Sequence, residues 1–262
     1  MFDLSRFSLE GKVALITGGS RGIGRATALG FAEAGADVAI TSRKLPDLEK
    51  VADEVRALGR KALPAAAHVG RMEGINGLVK AVVDEFGRID ILVNNAGCSP
   101  AFSTVLDAEE RLWDTIINLN LKGLYFLSQA VARIMKDQGG GNIINLSSVE
   151  GYKPPVGTGI YAITKAAVKM VTKSMALDLA PHNIRVNAIA PGAIETKLLN
   201  NIWGLLPEDQ ARAEKEKLAE GIPMQRIGDP EEIVGAMIYL ASEASSYTTG
   251  ETVLVDGGIL LR

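Results

Sequence analysis

Short apolar runs alternate along the chain with longer segments in which apolar residues recur every three or four positions. Val13-Ala14-Leu15-Ile16-Thr17 has no polar break, the pattern of a strand covered on both faces. Ile23 to Ala34 then carries a helical period closed by Gly35. Val38-Ala39-Ile40-Thr41 precedes a predicted helix over Leu45 to Leu58, and Lys61 to Ala66 precedes one over Met72 to Phe86. Ile89 to Val93 reads as the next strand. A long helix over Trp113 to Lys136 leads through Gly139-Gly140-Gly141 to a strand at Asn142 to Leu146. A helix from Tyr161 to Pro181, a strand at Arg185 to Ile189, a helix from Pro230 to Ala241 and a strand at Thr252 to Val255 complete the series.

Seven strand signals separated by helices predict a parallel sheet with helices on both faces, because right-handed crossovers put them there. The expected fold is α/β, a Rossmann-type doubly wound sheet in one domain over residues 1–262. The segment 194–224 breaks the rhythm with Trp203, Pro207, Pro223 and a charged run from Glu208 to Glu220. It is either a substrate lid or a surface excursion. The lid is preferred, since loops beyond strand ends are where such sheets bind ligands.

With 47% hydrophobic and 23% charged residues, 262 residues suffice for one well-buried domain. A net charge of -3 provides neither a basic field for nucleic acid nor a polybasic membrane patch. One cysteine, Cys98, makes no internal disulfide, and two histidines form no metal signature, so no metal is expected. The stretch Met1 to Arg6 lacks the apolar core of a signal peptide, and no run approaches the ~20 apolar residues of a membrane span. A cytoplasmic protein is the expectation. The final Leu260-Leu261-Arg262 is not a peroxisomal address.

The first chemical signal is Thr17-Gly18-Gly19-Ser20-Arg21-Gly22-Ile23-Gly24, between the first strand and first helix. Glycines there permit a tight turn and close approach of a pyrophosphate to unpaired amides at the helix N-terminus. Gly18, Ser20, Arg21, Gly22, Ile23 and Gly24 are therefore candidate cofactor contacts. At the end of the second strand an acidic residue would bind ribose hydroxyls and repel a 2′-phosphate, but this chain has Ser42-Arg43-Lys44. With Arg21, these cations can converge on a dianion, which favours NADP(H) over NAD(H). The bland alternative is that Arg43 and Lys44 merely open a solvated helix.

The second signal is Tyr161 with Lys165, one helical turn apart on one face. A fixed cation beside a phenol favours the phenolate and would lower its pKa toward neutrality. Alone the spacing is weak, arising by chance in roughly one such chain in four.

Thr17 to Gly24, Asn94-Asn95-Ala96-Gly97, Ser148, Tyr161 with Lys165, and Pro191-Gly192 with Thr196 together resemble, in order and spacing, the short-chain dehydrogenase/reductase family. The resemblance spans nearly the whole chain. Within the family, Ala67-His68-Val69-Gly70 and Asn183-Ile184-Arg185-Val186-Asn187 are similar to the NADP-dependent carbonyl reductase branch. The resemblance implies Tyr161 as general acid in reduction and base in oxidation, with Lys165 lowering its pKa and binding the nicotinamide ribose. It implies Ser148, thirteen residues before Tyr161, as the hydrogen-bond partner of the substrate oxygen, ahead of Ser147. It makes Asn120 the holder of a relay water. The less favoured alternatives are that Ser148 caps a turn and that Asn120 satisfies backbone groups at a helix kink. Asn95, Ala96 and Gly97 would abut the cofactor while Asn94 braces strands, and Pro191, Gly192, Ile194 and Thr196 would hold the nicotinamide carboxamide. His68 departs from the family's aspartate, which accepts from the adenine amino group; either its ring or the backbone of Val69 would make that contact. Cys98 either faces the pocket mouth or simply packs.

Positions beyond strand ends make Ser99, Phe102, Glu150, Tyr152, Pro154, Ile194 and Trp203 the expected substrate wall. A mostly apolar wall suits a small-molecule ketone or aldehyde with a hydrophobic body, or the corresponding alcohol. A 3-oxoacyl-carrier-protein reductase shares the catalytic set but calls for a basic patch to meet an acidic carrier. A non-catalytic cofactor sensor is a further alternative, disfavoured by the complete set of Ser148, Tyr161, Lys165 and Asn120. The resemblance also implies a homotetramer. The helix after Tyr161 agrees, since Ala166, Ala167, Val168, Met170, Val171 and Met175 spread over more than one face.

Overall fold

The computed structural model describes residues 3–201, 203–204 and 206–262. Met1 and Phe2, of the stretch 1–6 that lacks a signal-peptide core in sequence, and Ile202 and Leu205 of the 194–224 segment lie outside the described residues. The strands are β1 (Val13–Thr17), β2 (Asp37–Ser42), β3 (Ala62–Ala66), β4 (Ile91–Asn94), β5 (Gly141–Leu146), β6 (Ile184–Pro191) and β7 (Thr252–Val255). They form one seven-stranded sheet in the order β3-β2-β1-β4-β5-β6-β7, parallel throughout. The helices are α1 (Gly22–Glu33), α2 (Leu45–Ala57), α3 (Met72–Phe86), α4 (Glu110–Ile117), α5 (Leu124–Asp137), α6 (Gly159–Leu179), α7 (Lys197–Asn200), α8 (Glu208–Gly221) and α9 (Glu231–Ala241).

Successive strand side chains point to opposite faces, so each strand feeds two cores. Ala14 and Ile16 of β1 pack with Val38, Ile40, Ile91 and Val93 under Phe31 of α1, Val51 of α2 and Met237 of α9. Val13 and Leu15 pack on the other face with Leu92 and Ile143, under Val79 of α3, Leu127 of α5 and Met175 of α6. This double burial is why β1 and β4 are apolar up to their last residues, Thr17 and Asn94. A polar column crosses the second core. Asn94 Nδ2 donates to Ser128 Oγ (2.8 Å) and Asn145 Oδ1 (2.9 Å), and Asn145 Nδ2 donates to Thr172 Oγ1 (3.0 Å). All four side chains are buried, and together they tie β4 and β5 to α5 and α6.

The single helix expected over 113–136 is instead α4 and α5 joined by a π-helical segment, Asn118–Gly123. Two tertiary contacts hold the bulge. A Cβ at Gly123 would strike the Val69 carbonyl oxygen, and Asn120 spends its amide on the main chain of Cys98.

In the 194–224 segment, Ile194 bridges to Gly228, and the charged run forms α8 with no buried residue. Trp203 is buried beside it. Glu195 Oε1 receives Lys215 Nζ (2.9 Å) and Asn200 Nδ2 (2.7 Å), while Lys215 Nζ also lies 5.7 Å from the Trp203 ring centroid. On α6 the seven-residue spacing of Ile163, Met170 and Leu177 makes an outward apolar stripe, 50, 66 and 78% exposed. Among the described residues no helix is long and apolar enough to cross a membrane.

Candidate active site

Strand order reverses at β1, which is flanked by β2 and β4, and the loops leaving β1, β4, β5 and β6 gather at that edge. The Thr17 hydroxyl accepts from the amides of Asn95 (3.0 Å) and Ala96 (2.9 Å). Asn95 Nδ2 answers by donating to the carbonyls of Thr17 (2.8 Å) and Gly18 (3.3 Å). Gly18 takes the left-handed conformation, φ +67°, and a Cβ there would stand 2.7 Å from Asn95 Nδ2. A Cβ at Gly24 would strike the Gly18 carbonyl oxygen. Across the turn, a Cβ at Gly22 would meet Thr196 Cγ2 at 3.3 Å, and Thr196 caps α7 by accepting from Leu199 N (3.3 Å). The structure thus brings Gly18, Gly22, Gly24, Asn95, Ala96 and Thr196 to one edge, with Ser20, Arg21 and Ile23 on the same turn. Thr17 is the positioning residue that motif reading overlooked. Its signal was a hydroxyl closing an otherwise apolar strand.

At the adenosine end, Ser42 is half-buried while Arg43, Lys44 and Arg21 are exposed. Among the described residues none of these three cations joins an ion pair. A cleft of about 280 Å³ lined by Ser20, Arg21, Asp47 and Lys50 opens beside the turn. His68 faces a separate cleft of about 500 Å³ with Arg71, Gly74 and Leu78. Its Nδ1 accepts from Gly70 N (3.2 Å), so a neutral ring keeps only the Nε2 proton donor. In this arrangement the ring has no acceptor nitrogen free for an adenine amino group.

Lys165 is buried, and its Nζ donates to Leu146 O (2.7 Å) at 5.4 Å from the Tyr161 ring centroid. Burial brings the Lys165 ammonium down to about 8, against the pull of Cys98 and Glu150. The Tyr161 phenol is pushed above its ordinary value, first by desolvation and then by the Glu150 charge; the Ser148 hydroxyl acts the other way. The expected lowering by Lys165 is therefore not found. Its ammonium is spent on Leu146 O, and loss of solvent dominates at the phenol.

Ser148 also caps the turn Val149–Gly151, its Oγ accepting from Glu150 N (3.1 Å). Ser147 is occupied structurally, donating to Lys165 O (2.8 Å). Asn120 Oδ1 accepts from Cys98 N (2.8 Å), and its Nδ2 donates to Cys98 O (2.9 Å) and Thr164 Oγ1 (3.3 Å). The side chain thus satisfies backbone at a helix irregularity and has no donor left for a water. A Cβ at Gly97 would stand 3.5 Å from Asn120 Oδ1 and 3.6 Å from Lys165 Nζ, so these three groups meet. The Cys98 thiol is half-buried and pushed up by desolvation, which keeps it protonated at neutral pH. Of the expected wall, Phe102, Tyr152 and Pro154 are exposed, Ser99 and Glu150 half-buried, and Ile194 and Trp203 buried.

A glycine turn at a helix N-terminus after β1, with Ser148, Tyr161 and Lys165 after β5 two strands away, is an arrangement in keeping with a nucleotide-dependent oxidoreductase of the doubly wound α/β class. Residues 18–260 match the family model described as enoyl-(acyl carrier protein) reductase. Dehydrogenase/reductase SDR family member 4 of Sus scrofa is 40% identical, over 98% of this chain and 90% of that protein. The 2-dehydro-3-deoxy-D-gluconate 5-dehydrogenase of Escherichia coli K12 is 43% identical, over 99% of each. Among solved structures, a gluconate 5-dehydrogenase from Burkholderia cenocepacia J2315 in complex with NADP and tartrate is 38% identical over 99% of each chain, TM-score 0.91. A 7α-hydroxysteroid dehydrogenase complexed with NADH is 32% identical over 98% of each, TM-score 0.91. The chain belongs to the short-chain dehydrogenase/reductase family.

Proposed function

We propose that this oxidoreductase uses NADPH to reduce a ketone or aldehyde with a hydrophobic body, Tyr161 donating the proton. The observation that carries this is the meeting of Tyr161 with Ser148 and Lys165, whose Nζ lies 5.4 Å from the phenol ring: the buried phenol keeps its proton at neutral pH and has a hydroxyl and a cation beside it, as a general acid needs. Ser148 would hold the carbonyl oxygen, and Lys165 would offset charge left on the phenol. The nicotinamide, when bound, supplies the hydride.

The chain fits that cofactor because a Cβ would be obstructed at Gly18 and Gly24 of the turn and, among the described residues, Arg21, Arg43 and Lys44 pair with no carboxylate. Ser20, Gly22 and Ile23 would hold the pyrophosphate, Ser42, Arg43 and Lys44 the 2′-phosphate and Val69 the adenine by main chain, while Ala96 and Gly97 would abut the cofactor by main chain, Gly97 beside Lys165. Pro191, Gly192, Ile194 and Thr196 would hold the carboxamide. The NADP of the Burkholderia structure supports this choice, and the NADH of the hydroxysteroid enzyme makes it one to test. The 194–224 segment would be the lid of a single-domain cytoplasmic enzyme, and the apolar stripe of α6, with α4, α5 and residues 249–258, would join four copies. An acyl-carrier substrate is disfavoured, since α8, sequence EDQARAEKEKLAEG, offers five acidic against three basic residues.

The test is a carbonyl panel with NADPH and NADH, on wild type and Arg43→Ala. NADPH should exceed NADH by about 10-fold or more in kcat/KM, and Arg43→Ala should remove most of the difference. Equal use of both cofactors by the wild type would refute the NADP assignment.

A further inference from the structure

Glu150 stands apart from the apolar wall around it. Its turn, Val149–Gly151, is pinned from two sides: Glu150 N donates to Ser148 Oγ (3.1 Å) and Lys169 Nζ donates to Gly151 O (2.7 Å). Gly151 packs so closely on α6 that a Cβ there would stand 2.8 Å from the Lys165 carbonyl carbon. The carboxylate thus has a rigid root and lies beside Thr158, with its charge acting on both Tyr161 and Lys165. Glu150 Oε2 is nevertheless buried without a hydrogen-bond partner. The Thr158 hydroxyl is within reach of the carboxylate but also donates to Pro155 O (3.2 Å), and its single proton cannot serve both, so Oε2 stays without a donor. Among the described residues, no Lys or Arg pairs with this carboxylate. A buried acceptor with no donor is unfavourable, and such groups call for a functional explanation. The terminal torsion of a glutamate is soft, so its oxygens reorient at small cost toward a donor that arrives.

We propose that Glu150 is a specificity-determining residue whose carboxylate accepts a hydrogen bond from a hydroxyl on the carbon next to the reacting carbonyl, so that α-hydroxy ketones are the preferred substrates. This rests on the carbonyl-reductase assignment and narrows it. Ser148, offered to the carbonyl oxygen, and Glu150 share one turn: the Glu150 main-chain amide donates to Ser148 Oγ (3.1 Å), and the Ser148 hydroxyl and the Glu150 charge both act on the Tyr161 phenol. A hydroxyl on the carbon next to the carbonyl would reach from the one group toward the other, with the rest of the molecule against the apolar wall.

The experiment compares 2-hydroxyacetophenone with acetophenone, which differ by this one hydroxyl, on the full chain with NADPH. Wild type, Glu150→Gln and Glu150→Leu are assayed. The wild type should favour the hydroxy ketone by about 10-fold or more in kcat/KM, Glu150→Leu should bring the ratio to about one, and Glu150→Gln, which keeps one acceptor oxygen, should fall between. Removing the charge also eases ionisation of Tyr161, but that acts on both ketones and cancels in the ratio. A wild-type ratio near one, or a ratio that survives both substitutions, overturns the inference and leaves carbonyl reduction standing. Absence of turnover with either ketone counts against the assigned reaction. The ratio is then read as Kd for the two ketones on NADP⁺-loaded protein, where equal values overturn the role of Glu150 and a wild-type preference lost in Glu150→Leu supports it.

Discussion

Replacing Asn120 by alanine removes both hydrogen bonds that hold the main chain of Cys98, at 2.8 and 2.9 Å, along with the 3.3 Å bond to Thr164. Asn120 itself is only 1% exposed, so water has little access to the groups left behind. Each stranded backbone group costs about 1–3 kcal/mol; because Cys98 is half-buried, the lower part of that range applies, about 2–4 kcal/mol in all. For a chain of this size, a loss of that order lowers Tm by about 5–10 °C. Denaturant midpoint and Tm measure it directly, with turnover and NADPH affinity followed on the same samples at a temperature where the variant is folded. Asn120→Asp sharpens the comparison, since it keeps an acceptor for Cys98 N and loses the donor to Cys98 O. With a carboxylate oxygen facing Cys98 O in a buried site, it should be at least as destabilised as alanine. If Asn120→Ala abolishes turnover while Tm stays within 1–2 °C of wild type, the side chain acts in the chemistry and its assignment as a backbone clamp is wrong.

Tyr161→Phe should lower kcat by about 100-fold or more while NADPH affinity changes little, because only the transferred proton is lost; turnover near wild type would remove Tyr161 from the mechanism. Lys165 has a folded pKa of about 8 against 10.5 in the open chain, so between these values the unfolded state binds the extra proton and stability rises with pH. Relative to Lys165→Met, wild type should gain about 2–3 kcal/mol between pH 8 and 10, read from urea midpoints; above pH 10 the raised Tyr161 works oppositely, as the unfolded phenol ionises first. A flat difference would contradict the buried ammonium. Glu195→Gln weakens the tie to Lys215 between partly exposed groups, so stability should move by less than about 1 kcal/mol while KM for the ketone rises several-fold. An unchanged KM would speak against 194–224 as a lid.

Periodicity placed the helix Met72–Phe86 and the strands Val13–Thr17 and Thr252–Val255 at their observed bounds: the first strand is covered on both faces, whereas of the last only Val253 and Val255 pack on the core and Leu254 is exposed. The charged run at 208–220 likewise announced a solvated helix. Order and spacing also sufficed to nominate the residues that meet at the β1, β4, β5 and β6 edge. The π-helical segment was illegible, since nothing in Asn118-Leu119-Asn120 reveals that Cys98 and Val69 will press against it. For the same reason the acidity of Tyr161 was misjudged. Sequence spacing finds the neighbouring Lys165 but not the desolvation that outweighs it, nor the Glu150 charge delivered by a separate turn. His68 lost its acceptor nitrogen to an amide two residues away, a local bond that composition does not disclose.

The interlock of Thr17 with Asn95 and Ala96 has a thermodynamic consequence for the glycine turn. Holding a free backbone segment in one conformation costs about 1–2 kcal/mol per residue, and in a loose loop that cost would fall on the ligand at the moment it binds. Here the loop after β4 already grips the carbonyls of Thr17 and Gly18, so the ordering is met when the sheet forms. Affinity at the turn is thereby linked to a hydroxyl buried behind it, and loss of the Thr17 side chain would loosen both walls of the cleft at once.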